Sequence, residues 1–221
     1  MQNTQAVFLD IDGTLVDSNE LHVSAWAHAF QKNGVPMERD RIRKHIGKGK
    51  DKLIPDLLPD STQQLRTSIG EAHDEKYQSE FLSRVKAFPH ARDFVSKLHR
   101  LGLKVLLASS AKKAEVEHYV KLLGVESILD GTTSADDVEQ SKPAGDIFAA
   151  ALKKVAPITA AETVVIGDTP YDVIAARKCG IRAIGLLSGG FSAEELTDAG
   201  AIAVFDSVSE LLSSWDPKPA S

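Results

Sequence analysis

The sequence predicts an α/β fold, namely a doubly wound parallel sheet that is interrupted after its first strand by a helical cap. Three observations support this fold class. Short, almost continuous apolar runs recur along the chain, helical patterns separate them, and one long stretch near the N-terminus has helical patterns only. Continuous apolar runs are typical of strands that are covered on both faces. Strands that alternate with helices form right-handed βαβ units and therefore a parallel sheet.

Six apolar runs predict the strands of this sheet. They are "AVFLD" (6–10), "LKVLLAS" (103–109), "SILDGT" (127–132), "TVVIGD" (163–168), "AIGLL" (183–187) and "IAVF" (202–205). Helical patterns lie between and after them at about 90–101, 111–123, 143–155, 170–179, 193–199 and 207–214. Glycines follow several of these patterns, and two serines precede a glutamate with capping-box spacing, as expected at helix ends.

The stretch that follows the first strand contains no strand-like run. Its pattern predicts helices over 19–33, 38–46, 50–58 and 62–82. We therefore divide the chain into a core, residues 1–16 and 85–221, and a helical cap, residues 17–84.

Composition and charge narrow the class of protein. The chain has 221 residues, of which 43% are hydrophobic and 26% charged, which is ordinary for a soluble globular protein with a sizeable core. A net charge of −5 argues against a nucleic-acid partner. The single cysteine, Cys179, excludes an internal disulfide and favours a reducing compartment. Neither a signal-peptide pattern nor an apolar run of about 20 residues is present, so we expect a cytoplasmic monomer or homodimer without a membrane partner.

Polar side chains stand at the predicted strand ends and at one helix entrance. They are Asp10 and Asp12 after the first strand, Ser109 after the second, Asp168 after the fourth, and Lys142 just before the helix at 143. A proline at position 143 could open that helix at its first position. Because ligands bind at the carboxyl ends of the strands of an open parallel sheet, we expect these side chains to surround one pocket.

Carboxylates that share a pocket repel one another. Two unit charges about 4 Å apart cost about 4 kcal/mol at an effective dielectric constant of 20. Either one carboxyl group stays protonated or a cation lies among them. Oxygen ligands suit Mg²⁺, and no histidine has zinc-ligand spacing. The sequence therefore favours a Mg²⁺ site.

Four sequence features resemble the motifs of the haloacid dehalogenase (HAD) superfamily, in the order of that family. They are "DIDGTLVDS", the strand end at Ser109, "SKPAGDIF" and "GDTPYD". The resemblance covers essentially the whole chain, since the helical insert is similar to the C1 cap of the family. It implies a Rossmann-like HAD core. The branch that the chain resembles contains phosphoglycolate phosphatase, β-phosphoglucomutase and the sugar phosphatases.

The resemblance implies a catalytic role for each motif residue. Asp10 would attack phosphorus and form an aspartyl-phosphate. Asp12 would protonate the leaving oxygen and later deprotonate the attacking water. Gly13 would let the backbone turn after the strand and would be one of the substrate-binding residues. The Ser109 hydroxyl would bind a phosphate oxygen. The Lys142 ammonium would bridge the phosphate and Asp10 as a point charge.

The resemblance also implies the ligands of Mg²⁺. These are the carboxylates of Asp10 and Asp168, the carbonyl oxygen of Asp12, and Asp172 either directly or through water. Asp172 has an alternative role, because Thr169 and Asp172 have capping-box spacing and Asp172 could cap the next helix. The two roles are compatible.

Substrate contacts are expected from two loops. Backbone amides that open the helix after the second strand, starting around Ser110, would bind phosphate oxygens. In the cap, "HIGKGKDKL" (45–53) is a glycine-rich basic loop where similar enzymes have a specificity loop. Its Lys48 and Lys50 could contact a second anionic group or sugar hydroxyls. A solvated basic loop without a substrate contact is an equal alternative.

The acid at position 12 discriminates among the reactions of the family. Relatives that dehalogenate or cleave phosphonates have a different residue there, whereas hydrolysis of a phosphate ester needs an acid to protonate the leaving alkoxide. The resemblance therefore implies a Mg²⁺-dependent phosphatase that acts on small phosphorylated metabolites. Phosphate transfer of the β-phosphoglucomutase type stays open, because it uses the same pair of aspartates. A catalytically silent binding protein with this fold is a third possibility.

Overall fold

The computed structural model describes residues 3–215, which form an α/β fold around a six-stranded parallel sheet. The strands are β1 (Ala6–Leu9), β2 (Val16–Asp17), β3 (Lys86–Ala87), β4 (Lys104–Ala108), β5 (Gly131–Thr133), β6 (Thr163–Gly167), β7 (Arg182–Leu186) and β8 (Ala203–Phe205). The large sheet has the order β5-β4-β1-β6-β7-β8, and all its neighbours run parallel. The predicted fold class is confirmed. The ends of the predicted core, residues 1–2 and 216–221, lie outside the described residues.

Helices cover both faces of the sheet. They are α1 (Asn19–Lys32), α2 (Arg39–Arg43), α3 (Lys50–Leu57), α4 (Gln63–Lys76), α5 (Ala91–Arg100), α6 (Lys113–Leu123), α7 (Asp146–Lys154), α8 (Pro170–Lys178), α9 (Ala193–Ala199) and α10 (Val208–Ser214). Within residues 3–215, none of the helices combines the length and the apolar character needed to cross a bilayer.

The burial of the central strand, β1, explains why all of its residues are apolar. Val7 and Leu9 of β1 pack into one hydrophobic cluster with α5, α6 and α10, whereas Ala6 and Phe8 pack into a second cluster with α7, α8 and α9. Each side chain of this strand is fully buried. Both faces of the sheet are therefore hydrophobic cores, as the continuous apolar runs predict.

The helices α1 to α4 bury a third hydrophobic cluster of their own, which includes Trp26, Phe30 and Leu53. The two segments that connect these helices to the sheet pair with each other. Strands β2 and β3 form a short antiparallel ladder in which Val16 faces Ala87. This ladder lies at both predicted boundaries of the cap, and the division at residues 17 and 84 stays a prediction.

Several predicted elements differ from the structure. The helix predicted over 62–82 ends at Lys76 and continues as a π-helical turn, Tyr77–Phe81, and the helix predicted over 38–46 spans only Arg39–Arg43. The strand predicted at 127–132 is found at Gly131–Thr133, because residues 126–128 form a turn and the apolar Ile128 and Leu129 pack against the core instead of pairing. The helix predicted from 111 begins at Lys113. The helix predicted from 143 begins at Asp146, so the proline does not open it; residues 142–145 form a turn that precedes the helix.

Candidate active site

The sheet order brings three strand ends together. β1 lies between β4 and β6 in register, so the residues that follow these strands meet at one edge of the sheet. Asp10 follows β1, Ser109 follows β4, and Asp168 follows β6. Carboxylate oxygens of Asp10, Asp168 and Asp172 all lie within 4.8 Å of one another, and the three residues are buried.

Lys142 lies at the centre of this acidic cluster. Its side chain is buried, and its ammonium donates to the Asp10 carboxylate and to the carbonyl oxygen of Ala108 at 3.0 Å. The same nitrogen lies 2.7 Å from Oδ1 of Asp172. Burial opposes the charge, but the carboxylates of Asp10 and Asp172 outweigh it and raise the pKa of Lys142 above its usual value. The lysine therefore stays charged and neutralises part of the cluster.

The cluster still carries more carboxyl groups than one lysine can balance. Burial raises the pKa of Asp10 well above its usual value, in spite of the opposing effect of Lys142. Burial and then the charge of Asp172 raise the pKa of Asp168 to about 7. Thr14 Oγ1 and Asn19 Nδ2 donate to the Asp168 carboxylate at 2.9 and 3.0 Å. A buried group of carboxylate oxygens with an unfavourable excess of negative charge fits a hard divalent cation such as Mg²⁺.

Asp172 has the capping geometry that its spacing predicts. Its Oδ2 accepts hydrogen bonds from the backbone N–H and the hydroxyl of Thr169, at 3.1 and 2.6 Å, which completes a capping box at the start of α8. Gly167 makes room for this carboxylate, because a Cβ added there would lie 2.5 Å from Cγ of Asp172. One oxygen of Asp172 thus caps the helix and the other faces Lys142. The cap role is confirmed, and the metal role stays a prediction.

Asp12 lies in a different environment from Asp10. Its Oδ1 accepts from Oγ of Ser18 at 2.6 Å and lies 3.2 Å from Nε2 of His22. Its Oδ2 accepts from Oγ of Ser109 at 3.3 Å. Burial works against the charged form, but the hydrogen bond and the charge of His22 outweigh burial and lower the pKa of Asp12. The two aspartates of one motif therefore have pKa shifts of opposite sign.

Two residues that are predicted to bind the substrate, Gly13 and Ser110, make contacts within the protein. Gly13 has a φ of +73° and donates its N–H to the carbonyl oxygen of Val16 at 2.9 Å. A Cβ at Gly13 would lie 2.1 Å from Oδ2 of Asp168, so this glycine provides a turn and space for the carboxylate. Ser110 does not open a helix, since α6 begins at Lys113. Its hydroxyl lies 3.4 Å from the carbonyl oxygen of Gly47 in the cap.

A cavity of about 320 Å³ lies between this edge of the sheet and the cap. Asp10, Asp12 and Ser109 line it on the side of the sheet, and Lys48 and Lys50 line it on the side of the cap. Its size is at the lower end of the range for small-molecule sites, about 300–1,000 Å³. Three of the predicted catalytic residues, Asp10, Asp12 and Ser109, thus border the same space as the predicted cap lysines, whereas Lys142 lies behind Asp10 and does not line the cavity.

Both cap lysines are paired with carboxylates. Nζ of Lys48 lies 2.6 Å from Oδ2 of Asp56 and 4.5 Å from the ring centroid of Tyr171. Nζ of Lys50 lies 3.0 Å from Oδ2 of Asp74. Lys48 is largely buried, whereas the side chain of Lys50 is 47% exposed, and the substrate-contact role of both stays a prediction.

Comparison with known proteins assigns the chain to a family. Residues 7–186 match the family model described as haloacid dehalogenase-like hydrolase. The chain belongs to this family. The predicted superfamily and the predicted hydrolase class are confirmed.

Individual relatives agree with this assignment. The chain is 26% identical over 219 residues to a phosphoglycolate phosphatase from Vibrio parahaemolyticus, with 96% of each chain covered. It is 30% identical over 213 residues to SUPPRESSOR OF QUENCHING 1, chloroplastic, from Arabidopsis thaliana, but it spans only 20% of the length of that protein. The crystal structure of a hydrolase from Pseudomonas syringae is 31% identical and superposes with a TM-score of 0.88, covering 95% of this chain and 97% of that one.

In this haloacid dehalogenase-like hydrolase, three side chains that the sequence analysis did not single out surround Asp12. Ser18 and His22 come from the start of the cap, and Glu115 comes from α6, with a carboxylate oxygen 3.6 Å from Nε2 of His22. Ser18 and His22 are four residues apart at the start of one helix, so helical periodicity could have placed them on one face. The contribution of Glu115 depends on how the cap meets the core, which no local pattern specifies.

Proposed function

We propose that this hydrolase is a Mg²⁺-dependent phosphatase that cleaves small phosphorylated metabolites through an aspartyl-phosphate on Asp10. The observation that carries the proposal is the buried cluster of Asp10, Asp168, Asp172 and Lys142 beneath a cavity that Asp12 also lines. The name of the Vibrio relative, a phosphoglycolate phosphatase, supports the same reaction class. The composition supports a cytoplasmic location, which we include in the proposal.

The metal ligands in this proposal are the carboxylates of Asp10 and Asp168 and the carbonyl oxygen of Asp12, with Asp172 contributing directly or through water. When bound, Mg²⁺ would offset the repulsion between the carboxylates and a phosphate dianion and stabilise charge on the transferring phosphoryl group. The raised pKa values of Asp10 and Asp168 support this ligand set, because the ionised carboxylates lack sufficient compensation from the protein alone.

The residues of the chain would carry out the reaction in two steps. First, a carboxylate oxygen of Asp10 forms a bond to phosphorus while the bond to the leaving oxygen breaks, and Asp12 gives that oxygen its proton. Second, Asp12 removes a proton from water, which attacks phosphorus and releases phosphate from Asp10. A phosphate dianion beside Asp12 opposes its ionisation and so favours the protonated form that the first step needs. Lys142 holds Asp10 and a phosphate oxygen throughout.

Release of phosphate from p-nitrophenyl phosphate tests this proposal. We expect release with Mg²⁺ and none after chelation with EDTA. Asp10→Asn should lower kcat by at least about 10³-fold, because the amide is a poor nucleophile. The matched control is Asp198→Asn, which makes the same change at an exposed position of α9 and should keep the activity of the parent. Full activity of a folded Asp10→Asn protein, with an unchanged melting temperature, would remove the proposed nucleophile.

A further inference from the structure

We infer that the cavity selects a neutral, polyhydroxylated leaving group, as in a sugar phosphate, over a leaving group that carries a carboxylate, as in phosphoglycolate. This inference rests on the proposed phosphatase function and names its substrate class. It is carried by a cluster in the cavity wall that joins Lys50 and Asp74 of the cap to Lys112 of the core, together with the aromatic side chains of Trp26 and His73.

The two lysines of this cluster share one carboxylate oxygen. Nζ of Lys50 lies 3.0 Å and Nζ of Lys112 lies 2.5 Å from Oδ2 of Asp74. An ammonium that already has a carboxylate partner attracts a second anion less strongly. Each ammonium nevertheless keeps N–H groups that can donate to a hydroxyl oxygen. Two ammonium groups on one carboxylate leave one net positive charge, and the carboxylate of Asp136, which also acts on Lys112, offsets it. With these two acidic partners, the lysines suit hydroxyl groups better than a further acidic group.

The remaining charged side chains around the cavity carry both signs. Apart from the two motif aspartates, five carboxyl groups and four basic side chains line it; the carboxyl groups belong to Asp51, Asp74, Glu115, Asp136 and Glu139, and the basic side chains to Lys48, Lys50, Lys112 and His22. Burial raises the pKa of Glu115 to about 7, so this carboxyl group carries only part of a charge at neutral pH. Carboxylates accept hydrogen bonds and repel a carboxylate of the substrate, whereas a hydroxyl group both donates and accepts. A lining that mixes ammonium donors with carboxylate acceptors therefore matches several hydroxyl groups on one molecule.

An aromatic pair forms another part of the same wall. The rings of Trp26 and His73 stack with centroids 3.9 Å apart at an interplanar angle of 20°. Nδ1 of His73 lies 3.2 Å from Oδ1 of Asp74. Burial lowers the pKa of His73 to about 4, so the ring is uncharged at neutral pH and supplies no cation for an acidic substrate. Aromatic carbon next to hydrogen-bonding groups is well suited to the C–H and O–H groups of a sugar.

Matched substrates test the inference. Glycerol 3-phosphate and 3-phosphoglycerate have the same length, but one ends in a hydroxymethyl group and the other in a carboxylate. We expect kcat/KM to be at least about tenfold higher for glycerol 3-phosphate than for 3-phosphoglycerate, and higher for hexose or pentose phosphates than for phosphoglycolate. If the protein hydrolyses p-nitrophenyl phosphate but prefers the acidic substrates, this inference is overturned and the proposed function is not. Failure to hydrolyse p-nitrophenyl phosphate at all would overturn the proposed function.

A charge-removing variant tests the cluster itself. Asp74→Asn releases both lysines from their shared partner, so we expect the ratio of kcat/KM for 3-phosphoglycerate to that for glycerol 3-phosphate to rise about tenfold or more, mainly through KM. Asp74→Glu keeps the charge and should keep the ratio of the parent. Glu75→Gln is the matched control, since Glu75 is the next residue of α4 and pairs with Lys32 at the surface. An unchanged ratio in a folded Asp74→Asn protein would overturn the inference.

Discussion

Asp10 and Asp12 show how two neighbouring acids come to have different chemistry. Asp10 contacts Lys142 in the buried acidic cluster, and its pKa is raised by burial. Asp12 accepts hydrogen bonds from Ser18 and Ser109 and contacts His22, and its pKa is lowered in spite of burial. Groups with pKa values shifted in opposite directions are suited to different roles. The proposed roles need the reverse protonation, an ionised Asp10 as nucleophile and a protonated Asp12 as acid, which a cation beside Asp10 and a phosphate dianion beside Asp12 would favour.

Asp12→Asn should separate the two proposed steps at the scale of this residue. Nitrophenolate leaves without a proton, so p-nitrophenyl phosphate should still phosphorylate Asp10 in the variant. The second step then lacks its base and becomes slow. We expect a rapid burst of about one nitrophenolate per active site followed by turnover at least about 10²-fold slower than the parent. Stopped-flow absorbance measures both phases, and steady turnover at the parental rate without a burst would contradict the role of Asp12.

At the scale of elements, the loop between α2 and α3 contacts the residue next to Lys142. The N–H of Gly49 donates to Oγ of Ser141 at 3.0 Å, and the Asp51 carboxylate accepts from both the N–H and the hydroxyl of Ser141. A Cβ at Gly49 would lie 2.5 Å from Cβ and Oγ of Ser141. The backbone of this loop thus lies directly against the segment that holds Lys142, and we expect the same contact to limit any closure of the cap over the cavity.

Gly49→Ala should impair closure without harming the fold. Its φ of −71° is accessible to alanine, so the strain arises from contacts of the added Cβ, which would lie 2.5 Å from Ser141 and 2.8 Å from Oδ1 of Asp51. We expect kcat/KM to fall about tenfold with little change in melting temperature, since closure completes the site and excludes water. Gly131→Ala is the control, because its added Cβ would have no neighbour nearer than 3.8 Å. Equal kinetics for Gly49→Ala and the parent would show that this contact does not limit closure.

The elements also show what the sequence could and could not predict. The runs that became β1, β4, β6 and β7 were located to within a residue or two, because burial on both faces leaves a continuous apolar pattern. The strand predicted at 127–132 is misplaced, because its apolar residues lie in and next to a turn and pack against the core without pairing with a strand. Residues near Asp12 were missed for a different reason. Ser18 and His22 share one face at the start of α1, which helical spacing could have indicated, but Glu115 meets His22 only when the cap lies on the core, and hydrophobic periodicity carries no information on that orientation.

On the scale of the whole molecule, we expect the buried acidic cluster to affect the stability of the fold. Two hydrophobic cores flank the sheet and a third lies within the helices of the cap, so apolar burial is distributed over the chain. The acidic cluster opposes this stabilisation. Asp10 and Asp168 are buried, and ionising them in the absence of a cation costs free energy. We therefore expect the metal-free protein to be less stable than the metal-bound protein, because a metal ion would offset the charge of the buried carboxylates.

The pH dependence of unfolding tests this coupling. The pKa of Asp168 is about 7 in the folded protein and about 3.8 as a reference for the unfolded chain. Between pH 3.8 and pH 7 the folded state binds more protons than the unfolded state does. The free energy of unfolding therefore falls as the pH rises through this range. Without metal, we expect the melting temperature to drop by several degrees from pH 5 to pH 8, since about 1 kcal/mol corresponds to roughly 2–4 °C.

Mg²⁺ should reverse that loss, because a ligand that binds only the folded state stabilises it. We expect a larger rise in melting temperature with Mg²⁺ at pH 8 than at pH 5, where a proton competes for Asp168. In Asp168→Asn the metal-free protein should lose less stability between pH 5 and pH 8 and should respond more weakly to Mg²⁺. Differential scanning calorimetry measures all of these quantities. A melting temperature that is independent of Mg²⁺ at pH 8 would mean that the buried carboxylates are not a metal site, whatever the activity of the protein.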